Sequence, residues 1–230
     1  MREIIFDTET TGLNHDQDDR IVEVGCVELV NYLPTGREFQ VYVNPGRLMG
    51  EGAVRVTGIT NEMLRGKPAF SHPDVVDRLL EFFGDSMIVA HNAEFDRNFL
   101  NAELARLGRS IVPKERFIDT VVLAKEHRPG SPANLDAVCK RFNISLEGRE
   151  LHGALKDARL LAMCYLELKG GRERAFDFAA RNIAAASQAA HIARAPRPAP
   201  IASRISAEEK AAHDAFVEQL GDAAIWKKYG

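Results

Sequence analysis

Ile4-Ile5-Phe6-Asp7-Thr8-Glu9-Thr10-Thr11-Gly12-Leu13 opens apolar and β-branched and closes on two carboxylates. Residues 3–7 predict a short buried strand by length and residue type. Side chains alternate along a strand, so Asp7 and Glu9 share one face. Working outward, Ile21–Leu29 and Glu38–Val43 predict two further strands, with Pro34 and Gly36 marking a hairpin turn over Asn31–Gly36. Apolar residues at helical spacing predict helices over Asp74–Phe83 and Ala93–Leu107, the latter closed by Gly108. Met87–Ala90 predicts a strand between them. Helices are also expected over Ile118–Lys125, Asn134–Phe142 and Ala154–Leu168, the last stopping before Gly170-Gly171. Three neighbouring strands followed by strand–helix alternation predict an α/β fold, a mixed sheet flanked by helices.

With 230 residues, 45% hydrophobic and 27% charged, the chain has room for one substantial domain and an appendage. No apolar run approaches the roughly 20 residues of a membrane span. Met1-Arg2-Glu3 leads directly into the first strand, so no signal peptide is visible and a cytoplasmic location is expected. Cys26, Cys139 and Cys164 form no CxxC pair and sit among apolar residues, which predicts buried thiols. No glycine-rich phosphate loop is present, and the histidines lack zincin spacing.

The net charge is −3, unusual for a protein that holds nucleic acid by its own field. Lys+Arg against Asp+Glu is 21 to 26 in residues 1–170 and 9 to 7 in residues 171–230. An acidic body implies weak free affinity for a polyanion, so a partner is expected to deliver one.

Beyond Asp7 and Glu9, carboxylates of interest are Asp96, in His91-Asn92-Ala93-Glu94-Phe95-Asp96, and Asp157, in His152-Gly153-Ala154-Leu155-Lys156-Asp157. Both fall early in predicted helices, where the dipole favours an anion. Gly153 suggests that His152 precedes the regular helix and can point inward. Each residue alone has an ordinary structural explanation. Together, oxygens gathered from distant segments suit hard divalent cations, and paired cations suit phosphodiester hydrolysis.

These stretches resemble the DnaQ-like exonucleases, the DEDD group with a histidine in the third motif, whose fold is ribonuclease-H-like. More closely, they resemble the epsilon proofreading subunits of bacterial DNA polymerase III. Phe6–Leu13, His91–Asp96, Ile118–Thr120, Asn134–Asp136 and Leu151–Ala158 carry the likeness, which spans residues 2–170 in matching order and spacing. The resemblance implies a 3′→5′ exonuclease that releases 5′-nucleotides from a single-stranded 3′ end. It implies that Asp7, Glu9, Asp96 and Asp157 hold two Mg²⁺ or Mn²⁺ ions, and that His152 is the general base. It implies that Thr10, Gly12 and Leu13 contact the terminal nucleotide, with Leu13 wedged against its base, that Asn92 and Phe95 line the groove, that Thr57 takes a substrate-binding position, and that Asp119 is a supporting acid. The family usually has a glutamate and His-Gly-Ile after the third strand. Here Gly52 and Thr57-Gly58-Ile59 stand instead, which puts substrate affinity in question rather than reaction class.

The tail divides further. Residues 1–170 are expected to be the exonuclease domain. Residues 171–205 are expected to be a flexible linker, Ala-rich with Pro196, Pro198 and Pro200. Within it, Phe176 and Phe178 keep the apolar pair of the family's sliding-clamp segment but lack its glutamine. Residues 206–230 open on the capping box Ser206-Ala207-Glu208-Glu209 and end with Ile225, Trp226 and Tyr229. The resemblance implies that they dock on the polymerase III alpha subunit. Two alternatives stand beside proofreading: an RNA-trimming 3′→5′ exoribonuclease of the same superfamily, and an inactive adaptor.

Overall fold

The computed structural model describes residues 1–149, 151–171 and 205–220. The chain divides into two compact units, residues 1–180 and 181–230.

In the first unit, β1 (Arg2–Thr10), β2 (Ile21–Val30), β3 (Leu33–Tyr42), β4 (Met87–Ala90) and β5 (Phe117–Asp119) form one mixed sheet in the order β3-β2-β1-β4-β5. β1 to β3 pair antiparallel, while β4 joins β1, and β5 joins β4, in parallel. β1 is longer than its apolar residues predict. Its polar end stays extended because β2 pairs along it from Arg2↔Val30 to Thr10↔Ile21, with a register shift only between Glu9 and Thr10.

The hairpin turn is tighter than expected. Asn31 and Tyr32, at φ 52° and 70°, make the reversal between β2 and β3, and Pro34 and Gly36 lie inside β3. β3 is an edge strand, where the missing proline N–H is tolerated. Ile118, predicted to begin a helix, belongs to β5. The helix begins at Thr120 instead, because the Asp119 side chain accepts from the Val121 N–H and caps it.

Helices cover both faces of the sheet. Ile4 and Phe6 of β1 point to one face, with α3 (Pro73–Phe83) and α4 (Ala93–Arg106) packed over them through Val75, Leu79, Phe83, Phe99 and Leu104. Phe6 meets Phe83 edge-on at 5.3 Å between centroids. Ile5 points to the other face, against α5 (Thr120–His127), α6 (Leu135–Arg141) and α7 (Ala154–Leu168) through Ala124, Val138, Leu161 and Tyr165. Each fully buried side chain of this kind contributes roughly 1.5–3 kcal/mol relative to exposure. Two short helices not anticipated, α1 (Glu51–Thr57) and α2 (Asn61–Leu64), close the sheet's end around Met49, Ile59 and Leu64. The three cysteines are buried and free.

In the second unit, α8 (Ala207–Gln219) begins with the expected reciprocal capping box between Ser206 and Glu209. None of its residues is buried. Phe176, Phe178, the Pro-rich stretch, Ile225, Trp226 and Tyr229 lie outside the described residues. Among the described residues, no helix is long and apolar enough to cross a membrane.

Candidate active site

The parallel strands β1, β4 and β5 end at one edge of the sheet, where open α/β sheets place their ligands. β1 delivers Asp7 and Glu9 there. Both point to the face that carries α7, because they share parity with Ile5. α7 supplies Asp157 from its first turn, and Gly153, its N-cap, separates the helix from His152. The His152 backbone N–H donates to the Val56 carbonyl at 3.1 Å, tying this loop to α1.

Donor atoms of Glu9, His152 and Asp157 all lie within 4.8 Å of one another. His152 Nδ1 is 3.2 Å from Asp157 Oδ2, and the imidazole is about half exposed. The donor atoms of Asp7 and Asp96 are outside that group. Asp96 approaches from the opposite face of the sheet, on α4, where its Oδ1 accepts from the Thr8 hydroxyl at 2.7 Å. Asp7 nonetheless feels every neighbouring acid. Burial, then the charges of Asp96, Glu9, Asp157 and Glu23, hold its carboxyl well above the usual range. Burial, then Asp157, Glu23 and Asp96, push Glu9 up to about 8, against a smaller opposing pull from Arg149. Burial pushes Asp96 up to about 7, although the Thr8 hydrogen bond pulls the other way.

Such acids are strained as anions without a counter-charge, and they relax when a cation sits among them. Three oxygen-rich segments and an imidazole, already converged, fit a hard divalent ion. Asp7, His152 and Asp157 also line a cavity of about 430 Å³ with His91, Asn134, Asp136 and Arg149. His91 Nδ1 is 2.9 Å from the hydroxyl of Thr120, the first residue of α5, and burial holds its imidazole below the usual range.

A second cavity, about 440 Å³ and mostly apolar, begins beside Glu9 and is lined by Thr10, Thr11, Gly12, Leu13, Gly52, Val56, Thr57 and Phe95. Leu13 projects into it, 78% exposed. The loop that carries Leu13 is held by Asp19, which accepts from the Thr11 hydroxyl at 2.8 Å and the Asn14 N–H at 3.0 Å. A Cβ on Gly12 would run into the Asp19 carboxylate and displace it from these hydrogen bonds. Thr57 lines the wall, but its hydroxyl donates to the Ala53 carbonyl at 2.9 Å and accepts from the Ile59 N–H at 3.0 Å. Its hydrogen bonding is directed into its own helix and turn. Asn92 lines neither of these two cavities; it is exposed and left-handed at φ 68°, with its N–H donating to Asp119 Oδ1 at 3.2 Å.

Four residues absent from the sequence-based site shape it. Glu23, almost fully buried in β2, accepts from the Ala154 N–H and the Gln40 amide. Gly25 pairs with Asp7 across the ladder, and a Cβ there would collide with the Ala154 and Leu155 backbone. Arg149 forks onto Asp157, and Asp136 receives the same guanidinium. A charged Glu23 inside an apolar strand was the one signal visible in sequence; Gly25 and Arg149 are meaningful only once α7 is docked.

A family pattern described as Exonuclease matches residues 4–165. The DNA polymerase III subunit epsilon of Rickettsia felis is 45% identical over 224 residues, covering 96% of this chain and 97% of its own. The subunit of the same name from Escherichia coli K12 is 38% identical over 239 residues, covering 98% and 97%. Among solved structures, Exonuclease X in complex with 5′ overhanging duplex DNA is similar at TM-score 0.57 and 27% identity, over 72% of this chain and 90% of that one.

Proposed function

This chain belongs to the exonuclease family, alongside DNA polymerase III epsilon subunits that match it nearly end to end, and we propose from that premise how its residues work. It is a 3′→5′ DNA exonuclease of the proofreading type. The observation that carries the mechanism is the convergence of Glu9, His152 and Asp157 within 4.8 Å, beside Asp7 and opposite Asp96.

Asp7, Glu9, Asp157 and Asp96 would hold two divalent ions, Mg²⁺ or Mn²⁺. Bound there, such ions supply positive charge to the phosphodiester oxygens and acidify water. His152 takes the proton of the attacking water. With Nδ1 turned to Asp157, the proton arrives at Nε2, and Asp157 steadies the imidazolium that results. The half-exposed ring can reach a substrate without rearrangement. The apolar cavity beside Glu9 receives the terminal nucleotide, with Leu13 and Phe95 against its base and Thr10 and Gly12 beneath it. An unpaired, single-stranded 3′ end enters where a paired one does not, which selects mispaired primer termini. Thr57 and Gly52 leave this wall with fewer polar contacts, so ground-state binding is weak.

Residues 206–230 dock on the polymerase III alpha subunit and residues 171–205 serve as the tether, with Phe176 and Phe178 available to a sliding clamp. Tethering raises the local concentration of primer ends without a basic groove, consistent with the acidic body. The test uses purified protein with Mg²⁺ or Mn²⁺, on matched DNA and RNA oligonucleotides and on paired and mispaired primers. Mispaired DNA ends are degraded fastest and Asp7→Ala is inactive. Preference for RNA would favour the RNA-trimming reading, and activity in Asp7→Ala would overturn the site.

A further inference from the structure

Among the described residues, the guanidinium that opposes the carboxylates at the end of β1 is that of Arg149, and its placement is specific. Arg149 Nε donates to Asp157 Oδ1 at 2.7 Å and a terminal nitrogen donates to Asp157 Oδ2 at 2.7 Å, a two-pronged fork that uses both carboxylate oxygens. Both side chains are almost fully buried, at 6% and 5% exposure. The other terminal nitrogen bonds Asp136, at the start of α6, whose side chain is about half exposed. Arg149 therefore satisfies two acids at once, one inside the site and one at the cavity's rim.

The fork leaves Asp157 without an oxygen free of the guanidinium. A divalent ion held by Glu9 and Asp157 would meet that guanidinium in the same few ångströms, cation against cation. The same nitrogen that binds Asp157 also lies 3.4 Å from His152 Nδ1. One neutral imidazole cannot accept from Arg149 and donate to Asp157 through the same nitrogen.

We infer that Arg149 is the site's own cation, one that occupies Asp157 until a divalent ion displaces it and is then retained by Asp136 at the cavity rim. This rests on the metal-holding role proposed for Asp157. Arg149 is a positioning residue here: it keeps a buried, acid-rich site folded without metal, and it weakens metal binding by competition. An arginine suits this task because it stays charged at all working pH values and forks onto a carboxylate. Asp136 suits its own part because it lies outside the metal-donor group yet within reach of the same side chain.

The experiment measures Mn²⁺ affinity of the full chain by the electron-spin-resonance signal of free Mn²⁺, at a fixed pH above neutrality. Arg149→Gln should bind Mn²⁺ more tightly, on the order of tenfold, since one positive charge leaves the ion's immediate surroundings. Asp136→Asn should weaken binding several-fold in the native background and much less in the Arg149→Gln background. Arg149→Lys, which keeps charge without the fork, should fall between native and Arg149→Gln, and serves if the glutamine variant does not fold. Unchanged or weaker Mn²⁺ binding in Arg149→Gln, or an Asp136→Asn effect equal in both backgrounds, overturns the inference alone. Native protein that binds no more Mn²⁺ than Asp157→Asn overturns the metal role of Asp157 and the inference with it.

Discussion

Glu23 Oε2 accepts a 3.1 Å hydrogen bond from the Ala154 N–H, across 131 residues of chain. This contact ties the first turn of α7 to the strand that pairs with β1, directly opposite Glu9 in the ladder. It both satisfies a helix-terminal donor and sets the height of Asp157 over the sheet. Glu23→Ala should cost about 1–3 kcal/mol of stability and lower turnover more than substrate affinity. Urea denaturation with steady-state kinetics measures both. Unchanged turnover would show that α7 is seated without this bond.

Gly25→Ala should be more damaging than its single methyl group suggests. The added carbon meets the main chain of Ala154 and Leu155, which cannot rotate aside as a side chain could. Displacing α7 moves Asp157 and His152 together relative to Asp7. A loss of roughly 1–3 kcal/mol is expected with a large fall in turnover. Native activity in a folded Gly25→Ala protein would mean that the helix is not held at this point.

Stability of the metal-free protein should decline with rising pH. Glu9 is pushed up to about 8 and Asp96 to about 7, whereas unfolded carboxyls titrate near 4. Between those values the folded state keeps protons that the unfolded state releases, so unfolding becomes easier as pH rises through this window. Tm measured with a chelator present should fall from mildly acidic pH to just above pH 8. Adding Mg²⁺ or Mn²⁺ at the alkaline end should restore much of it. A flat profile would contradict the charge arrangement described for the site.

His152→Ala should reduce turnover by about 10²- to 10⁴-fold, the usual contribution of a positioned base. Its effect on Mn²⁺ affinity should be much smaller, because the carboxylates remain. If Mn²⁺ occupancy fell in step with activity, His152 would be a ligand rather than the base.

Tyr165→Phe tests the core away from the site. The Tyr165 hydroxyl donates to Glu3 Oε1 at 2.8 Å, and both residues are fully buried. Among the described residues, the other Glu3 oxygen has no hydrogen-bond partner. Losing the hydroxyl leaves a buried carboxyl with none, at a cost of about 1–3 kcal/mol. Equilibrium denaturation should show that loss with exonuclease activity retained below the transition.

Much of this protein was readable before any fold was known, and the limits of that reading are physical. Local pattern determined the elements whose signal is local: the apolar strand at Ile4–Phe6, the amphipathic α3 and the capping box at Ser206. Local pattern misjudged Pro34 and Gly36, because only an edge position makes a proline acceptable within a strand. It also placed Ile118 in a helix, since three residues of strand carry no period; pairing with Val89 of β4 decides the matter. α1 and α2 were missed because their apolar residues fill a small pocket at the sheet's end instead of one long face.

The same division runs through the site. Residue type and order, by likeness to a family, determined which carboxylates and which histidine to examine. Sequence could not say that Asp96 comes from the opposite face of the sheet to Glu9, or that Arg149 sits on Asp157. Nor could it reveal that Gly25 is small so that α7 can descend beside Asp7. Chemical identity is a property of single residues and survives in a string of letters. Distance, desolvation and the collision a missing methyl avoids belong to pairs of segments far apart in the chain, and only their packing decides them.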